Sequence, residues 1–353
     1  MTSPAAVLLD EVSSLISRFV VLTPAQADTC ALFVLHTHTF AAARFTPYLH
    51  ITSAQPRSGK SLLLRVLRAV VAKPWLTGRV SAAALVRKID EQRPTLLLDE
   101  VDTVFSIRTE YSETLRGVLN SGFEAAGAYT ACDKLAKSWK AHDFRVFSPK
   151  VIAGIGQLEH TLQDRTLPIW LQRARRDETR EPFRETRLEA ELANLKQRCA
   201  EWSLTATDAL KSLNDPETPV QLNARQGDTC GPLLSIADYA RSPWPERSRA
   251  ALVEICAARR VHDESDVVQL LYHIRDLLDE LKAERIASAD LVALLNSREE
   301  WPWADYDNGR PLTANKLARL LRPLQIGPRD HKFNDQVLKG YRRVDFEDAW
   351  LRY

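Results

Sequence analysis

Apolar residues recur at helical spacing over Val7–Phe19, and Pro24 opens a second apolar stretch that runs through Leu35. At Tyr48 the pattern changes. Tyr48–Ser53 is a short strand-like run, followed by a Pro/Gly loop and an apolar-basic helix over Leu62–Val71. Ser81 is placed to cap a helix over Ala82–Glu91. Pro94 precedes Thr95–Leu98, an unbroken apolar run that suits a strand covered on both faces. A helix around Glu113–Leu119 stops at Asn120-Ser121-Gly122, and further apolar runs follow at Val151–Ile155 and Leu167–Leu171. Short apolar strands alternating with helices predict an α/β fold with a parallel sheet.

Between Ala174 and Arg187 charge dominates and no apolar face survives, which marks a boundary. Residues 185–283 then read as all-helical, with Leu and Ala at periods near 3.6. The last part mixes two short helices, Ala289–Leu295 and Ala314–Leu321, with β-rich aromatic segments near Phe333–Phe346. The expected organisation is an N-terminal helical segment (1–45), an α/β core (46–175), a helical domain (176–285) and a small C-terminal domain (286–353).

The chain has 353 residues, with 48 Lys and Arg against 46 Asp and Glu, for a net charge of +2. That balance argues against a purely basic nucleic-acid coat but leaves room for local patches. The apolar run Cys30–Leu35 is far too short for a bilayer, and Met1–Asp10 lacks the features of a secretory signal. The five cysteines (Cys30, Cys132, Cys199, Cys230, Cys256) are scattered, as suits thiols in a reducing compartment. A cytoplasmic protein with no membrane partner is expected. His36, His38 and His50 have no Cys or carboxylate to complete a metal set, so they are expected to be hydrogen-bonded instead.

The sharpest chemical signal is Ala54-Gln55-Pro56-Arg57-Ser58-Gly59-Lys60-Ser61, which follows a strand and opens a helix at Leu62. In such a loop, successive backbone N–H groups and the helix N-terminus attract a β-phosphate. Lys60 would reach the β- and γ-phosphates of ATP, and the Ser61 hydroxyl would ligate Mg²⁺. Ala54 stands where the consensus has glycine, so the loop must enter by a β-like path or carry modest strain. The second signal is Thr95–Asp102, a buried strand that ends in adjacent carboxylates. Asp99 would hold Mg²⁺ through a water, and Glu100 would polarise the attacking water. Asp99-Glu-Val-Asp102 also resembles the acidic box of two-lobed helicases. No second nucleotide-type α/β unit follows residue 175, which excludes that class.

Together these strings, Val151-Ile-Ala-Gly-Ile-Gly156 and Gln163-Asp-Arg-Thr-Leu-Pro-Ile169 resemble an AAA+-like P-loop ATPase core of the ASCE type. With His36–Phe40, Leu115–Gly122, Pro149–Gly156 and Asp164–Ile169, the chain is similar to a bacterial and phage ATPase family catalogued as a domain of unknown function. Its members are described as helicases of mobile-element and phage replication modules. The resemblance implies ring assembly, most often hexameric, and a helical lid. It also implies that Arg165 is presented to a neighbour's γ-phosphate and that Arg225 is a lid arginine sensing bound nucleotide. The polar residue that usually ends the fourth strand is missing: Gly154 and Gly156 sit there, with Gln157 as the nearest substitute.

Two basic regions are candidates for DNA. Tyr129–Lys150 holds Lys134, Lys137, Lys140, Arg145 and Lys150 with Trp139 among them, and resembles the pore hairpin of ring helicases. Lysines there would grip phosphates and an aromatic could stack on a base. Arg310–Arg343 carries nine Lys and Arg against two acids. Within it Lys316, Arg319 and Arg322 are interleaved with a leucine stripe, and Lys339, Arg342 and Arg343 lie on a basic hairpin. This looks like a winged helix, a module that binds DNA or docks proteins. The expected activity is a Mg-ATP-hydrolysing, ring-forming DNA helicase or translocase of phage or mobile-element replication, working beside other replication proteins. A helicase loader or replication initiator, and a nucleotide-gated DNA scaffold with little turnover, are the alternatives.

Overall fold

The computed structural model describes residues 3–53, 58–77, 80–106, 109–135, 138–154, 158, 160–173, 178, 180–263, 266–298, 301–306, 310–333 and 336–352. It divides into two compact units, Met1–Ala258 and Arg259–Tyr353. The first begins with helices α1 (Pro4–Phe19) and α2 (Pro24–Thr39). Both start at a proline placed behind a hydroxyl cap: Ser3 Oγ accepts from Ala6 N, and Thr23 and Gln26 form a reciprocal capping box.

Strand β1 (Tyr48–Thr52) follows, then α3 (Lys60–Val70), β2 (Pro74–Thr77), α4 (Ala82–Gln92), β3 (Thr95–Leu98), α5 (Val101–Ser106) and α6 (Glu110–Ser121). A hairpin of β4 (Ala128–Leu135) and β5 (Ser138–Arg145) leads to β6 (Lys150–Ala153), α7 (His160–Gln163) and β7 (Thr166–Trp170). Five strands form a parallel sheet in the order β2-β3-β6-β1-β7. The strand β2, which the apolar pattern did not announce, is a half-buried edge strand formed by its pairing with β3.

Side chains alternate across a strand, so each strand feeds two layers. Leu49, Ile51, Leu97, Val151 and Ile169 face a core built with α1, α2 and α3. Tyr48, Leu96, Leu98 and Ile152 face a second core with α4 and α6. Burial on both faces explains the unbroken apolar runs.

Helices α8 (Glu185–Ser212), α9 (Ala224–Ala240) and α10 (Trp244–Asp263) close the first unit. Cys199, Trp202, Leu233 and Trp244 join the same core as α1 and α2. The expected boundary at 175/176 is therefore not a unit boundary. Phe183 is buried in that core, and Glu185 binds both Arg65 and Arg68 of α3 at 3.0 Å. Arg247 also ties α10 to Asp10 of α1 at 2.9 Å and to buried Asp28 of α2.

The second unit contains α11 (Asp266–Glu280), β8 (Arg285–Ala287), α12 (Ser288–Ser297), α13 (Ala314–Leu321), β9 (Arg329–Phe333), β10 (Gln336–Arg342) and α14 (Glu347–Arg352). Its sheet is antiparallel in the order β8-β10-β9. Its core gathers Leu270, Ile274, Trp303, Leu317, Leu321, Tyr341 and Phe346, so the acidic C-terminal segment packs inward. Among the described residues no helix is long and apolar enough to cross a membrane.

His36 is buried and its Nε2 lies 2.9 Å from Thr46 Oγ1. Burial lowers its pKa from 6.5 to about 3. Between those values the unfolded chain takes a proton that the folded chain excludes, so this term stabilises fully above about pH 6.5 and is lost toward pH 3. At roughly 1.4 kcal/mol per unit, the loss reaches a few kcal/mol. Urea midpoints measured between pH 7 and pH 4.5 should fall, and His36→Gln should flatten that slope.

Candidate functional site

The C-terminal edge of the parallel sheet collects the polar residues that the sequence singles out. Strand β1 is buried at every position and is followed by buried Ser53. Gly59 takes a left-handed φ of 94° as the N-cap of α3. Space around it is open, since a Cβ built there meets nothing within 4 Å. The requirement for glycine is therefore its backbone conformation. Among the described residues no side chain caps α3. Its first turn, Lys60, Ser61 and Leu62, thus presents backbone donors to an incoming anion. Ser61 is exposed there and Leu62 half-buried. Lys60 Nζ reaches back to donate to Ser53 Oγ at 2.6 Å, so the ammonium sits over the end of β1. Ala54, Gln55, Pro56 and Arg57 lie outside the described residues.

Strand β3 runs parallel to β1 with β6 between them. Its carboxylates leave on the same edge, two strand spacings or about 10 Å away. Asp99 is half-buried and Glu100 exposed, so the full burial seen in Thr95–Leu98 stops before the acids. Asp99 Oδ1 accepts from Glu100 N at 3.0 Å. Glu100 holds a positive φ of 54°, uncommon for a side-chain-bearing residue. Thr103 secures that turn by donating from N and Oγ1 to the Glu100 carbonyl at 3.1 and 2.5 Å.

Two residues at this edge were not assigned roles from the sequence. Ser53 is the hydroxyl that receives Lys60. Asp102 closes over the end of β6, because a Cβ at Gly154 would come within 2.9 Å of Asp102 Oδ1. The place of the missing fourth-strand polar residue is thus covered by a carboxylate from α5. Asp102 in the acidic string and Gly154 at the strand end were the available signals. Gly156 and Gln157 lie outside the described residues.

Arg165 and Arg225 are elsewhere. Arg165 precedes β7, and its carbonyl accepts from Tyr48 N at 3.0 Å, which places it at the N-terminal edge of the sheet. Five residues of β1 separate that edge from Lys60, about 17 Å. Arg225 lies in the first turn of α9 and shares the Arg165 edge: Thr229 Oγ1 donates to the carbonyls of both Asp164 and Arg225 at 3.0 Å. Arg225, which the resemblance gives as a lid arginine sensing bound nucleotide, thus lies where α9 docks on the turn before β7. Burial, then the charge of Arg225, lowers the pKa of Arg165.

The basic regions also divide. An antiparallel hairpin forms at β4–β5 and pairs Lys134 with Trp139 and Asp133 with Lys140. Lys137 and the side chains of residues 133–140 lie outside the description. Lys150, counted with this patch from sequence, is fully buried, and its Nζ donates to the Val146 and Ser148 carbonyls at 3.0 and 2.8 Å. Burial holds its pKa well below the usual lysine range. Arg145 pairs with Asp90 at 3.0 Å. Neither adds free charge to the hairpin.

In the second unit Arg319, Arg322 and Lys339 are exposed and Lys316 is half-buried. Arg342 is held by Asp345 at 2.9 Å and Arg343 by Asp279, so these two are tied within the unit.

The C-terminal half of the chain matches a family described as "Protein of unknown function (DUF3631)", over residues 170–353. The chain belongs to that family. The DUF3631 match takes in α8–α14 and leaves Lys60, Asp99 and Glu100 outside it. An uncharacterized 28.9 kDa protein in the xis 5′ region of Saccharopolyspora erythraea is 33% identical over 178 residues. The match covers 50% of this chain and 65% of that relative.

Gly154→Ala should displace the exposed Asp102 carboxylate at a cost under about 1 kcal/mol. A urea midpoint lowered by much more than that would show that the carboxylate cannot move.

Proposed function

We propose that the chain is a Mg-ATP-hydrolysing P-loop ATPase of the AAA+ kind that assembles with copies of itself and acts on DNA as a helicase or translocase. The observation that carries this reading is the left-handed Gly59 and Lys60 at the head of α3, directly after a central buried strand, with Asp99 and Glu100 on the same edge. Open space at Gly59 and the uncapped first turn of α3 suit a phosphate.

Lys60 and the first-turn N–H groups would hold the β- and γ-phosphates, and Ser61 with Asp99 would hold Mg²⁺. A divalent ion there offsets charge on the bridging and terminal phosphate oxygens. Glu100, exposed and with its backbone carbonyl held by Thr103, would take a proton from water. Asp102 stands at the end of β6 next to these acids.

The DNA part of the reading is supported by the second unit. Its order of helix, strand, helix, helix and two antiparallel strands suits a winged helix, and Arg319 and Arg322 are exposed on α13. Such cations attract phosphates and make binding fall steeply with salt.

Lys60→Ala should abolish binding of a fluorescent ATP analogue. Glu100→Gln should bind it with near-native affinity and lose phosphate release by a factor on the order of 10²–10⁴. DNA added to the native chain should raise phosphate release, and forked DNA should be unwound; hydrolysis without strand displacement would favour a loader. For the second unit, Arg319→Ala with Arg322→Ala should weaken DNA binding and reduce the salt slope by about 2. Arg342→Ala should lower thermal stability more than DNA affinity, because it strands Asp345.

A further inference from the structure

We propose that Arg225 works together with Arg165 as a two-guanidinium pair, presented by one copy of the chain to the terminal phosphate held on the Lys60 turn of a second copy. This rests on the nucleotide-hydrolase reading above and assigns Arg225 to the opposite side of the subunit contact from its own Lys60.

Three observations support the pair. First, the two residues share one mount. A single hydroxyl, Thr229 Oγ1, bonds the Asp164 and Arg225 carbonyls at 3.0 Å each, so those oxygens lie no more than about 6 Å apart. Arg165 is further fixed at its backbone, with N donating to the Leu162 carbonyl and O accepting from Tyr48 N, both at 3.0 Å.

Second, the guanidinium of Arg165 has no carboxylate within ion-pair distance among the described residues. Nη1 donates to the Thr161 carbonyl, Nε is buried with no hydrogen-bond partner among those residues, and the Phe123 ring lies 5.9 Å away. Arg225 is exposed and likewise has no ion pair among the described residues, with Asp164 the carboxylate whose charge acts on Arg165. Two cations carried on one mount repel each other unless an anion joins them, and their planar forks match a phosphate.

Third, the pair cannot serve its own chain. The length of β1 separates it from Lys60, beyond the reach of an arginine side chain, so the phosphate it meets belongs to another copy.

In the reaction, the water oxygen bonds to the terminal phosphorus as the phosphorus–oxygen bond to the leaving diphosphate breaks. The bond pair stays with the diphosphate and the water proton passes to Glu100. The guanidiniums exchange no proton; they offset the charge spread over the transferring group.

Mixed assemblies of full-length variants test this. Arg225→Ala alone should bind a fluorescent ATP analogue within about twofold of the native chain, yet lose phosphate release by at least about a hundredfold. Mixed one to one with Lys60→Ala, it should recover about a quarter of the native rate, because random pairing places an intact Lys60 turn against an intact arginine pair in that share of contacts. Arg225→Ala mixed with Arg165→Ala should stay inactive, since both lesions fall on the same side of every contact.

If Arg225 served its own chain, the rescue pattern would invert: the Lys60→Ala mixture would stay inactive and the Arg165→Ala mixture would recover. That outcome, or native turnover by Arg225→Ala, overturns the proposal. Sedimentation of Arg225→Ala and Arg225→Gln guards the interpretation. Loss of assembly in both would make Arg225 an interface contact and sink its role at the phosphate. A native chain indistinguishable from Lys60→Ala in nucleotide binding would instead remove the hydrolase reading itself.

Discussion

The organisation of the first unit depends on the burial of β1 along its whole length between β6 and β7. A central parallel strand covered on both faces cannot shift register without moving its apolar side chains out of two cores at once. Its two ends are therefore fixed points. At one, Ser53 receives Lys60 and the chain turns through a left-handed glycine into α3. At the other, Tyr48 N holds the Arg165 carbonyl. The strand is a spacer that keeps a lysine with carboxylates at one edge and a pair of arginines at the other.

That separation of charge gives the fold its chemical logic. On the C-terminal edge, backbone donors and Lys60 suit an anion, while Asp99, Glu100 and Asp102 suit a cation and a proton. On the N-terminal edge, Arg165 and Arg225 hold positive charge without an ion pair among the described residues, Asp164 being the nearby carboxylate that acts on Arg165. On the proposed reading, each edge alone would be incomplete for phosphoryl transfer, and two copies in head-to-tail contact would join one edge to the other. Head-to-tail contacts close into rings when the rotation permits.

The second unit is arranged differently. Its own core, centred on Trp303, Leu317 and Tyr341, leaves the cations of α13 exposed while carboxylates claim Arg342 and Arg343. The same ion pairs that steady β10 and the segment after it neutralise part of the unit's positive charge. The region shared with DUF3631 spans this unit and α8–α10. Within the first unit those helices share a core with α1 and α2 and with the sheet, so the matched region does not coincide with a structural boundary.

The helices at 4–39, the strands β1, β3, β6 and β7, the cap at Ser81 and the turn into α3 were legible in the sequence, because each follows from local periodicity, capping and backbone preference. So was the adjacency of Asp99 and Glu100 at a strand end. Tertiary structure settled the matters that turn on partners distant in the chain. Strand β2 exists through its pairing with β3. Lys150 counts as basic in composition, yet it is buried because carbonyls from residues 146 and 148 surround its ammonium. Helices 185–258 join the first unit because their apolar faces meet α1 and α2 rather than one another alone. Arg225 stands beside Arg165 because Thr229 docks α9 on the turn before β7. Periodicity reports which face of an element is apolar; it carries no information about which distant surface that face will cover.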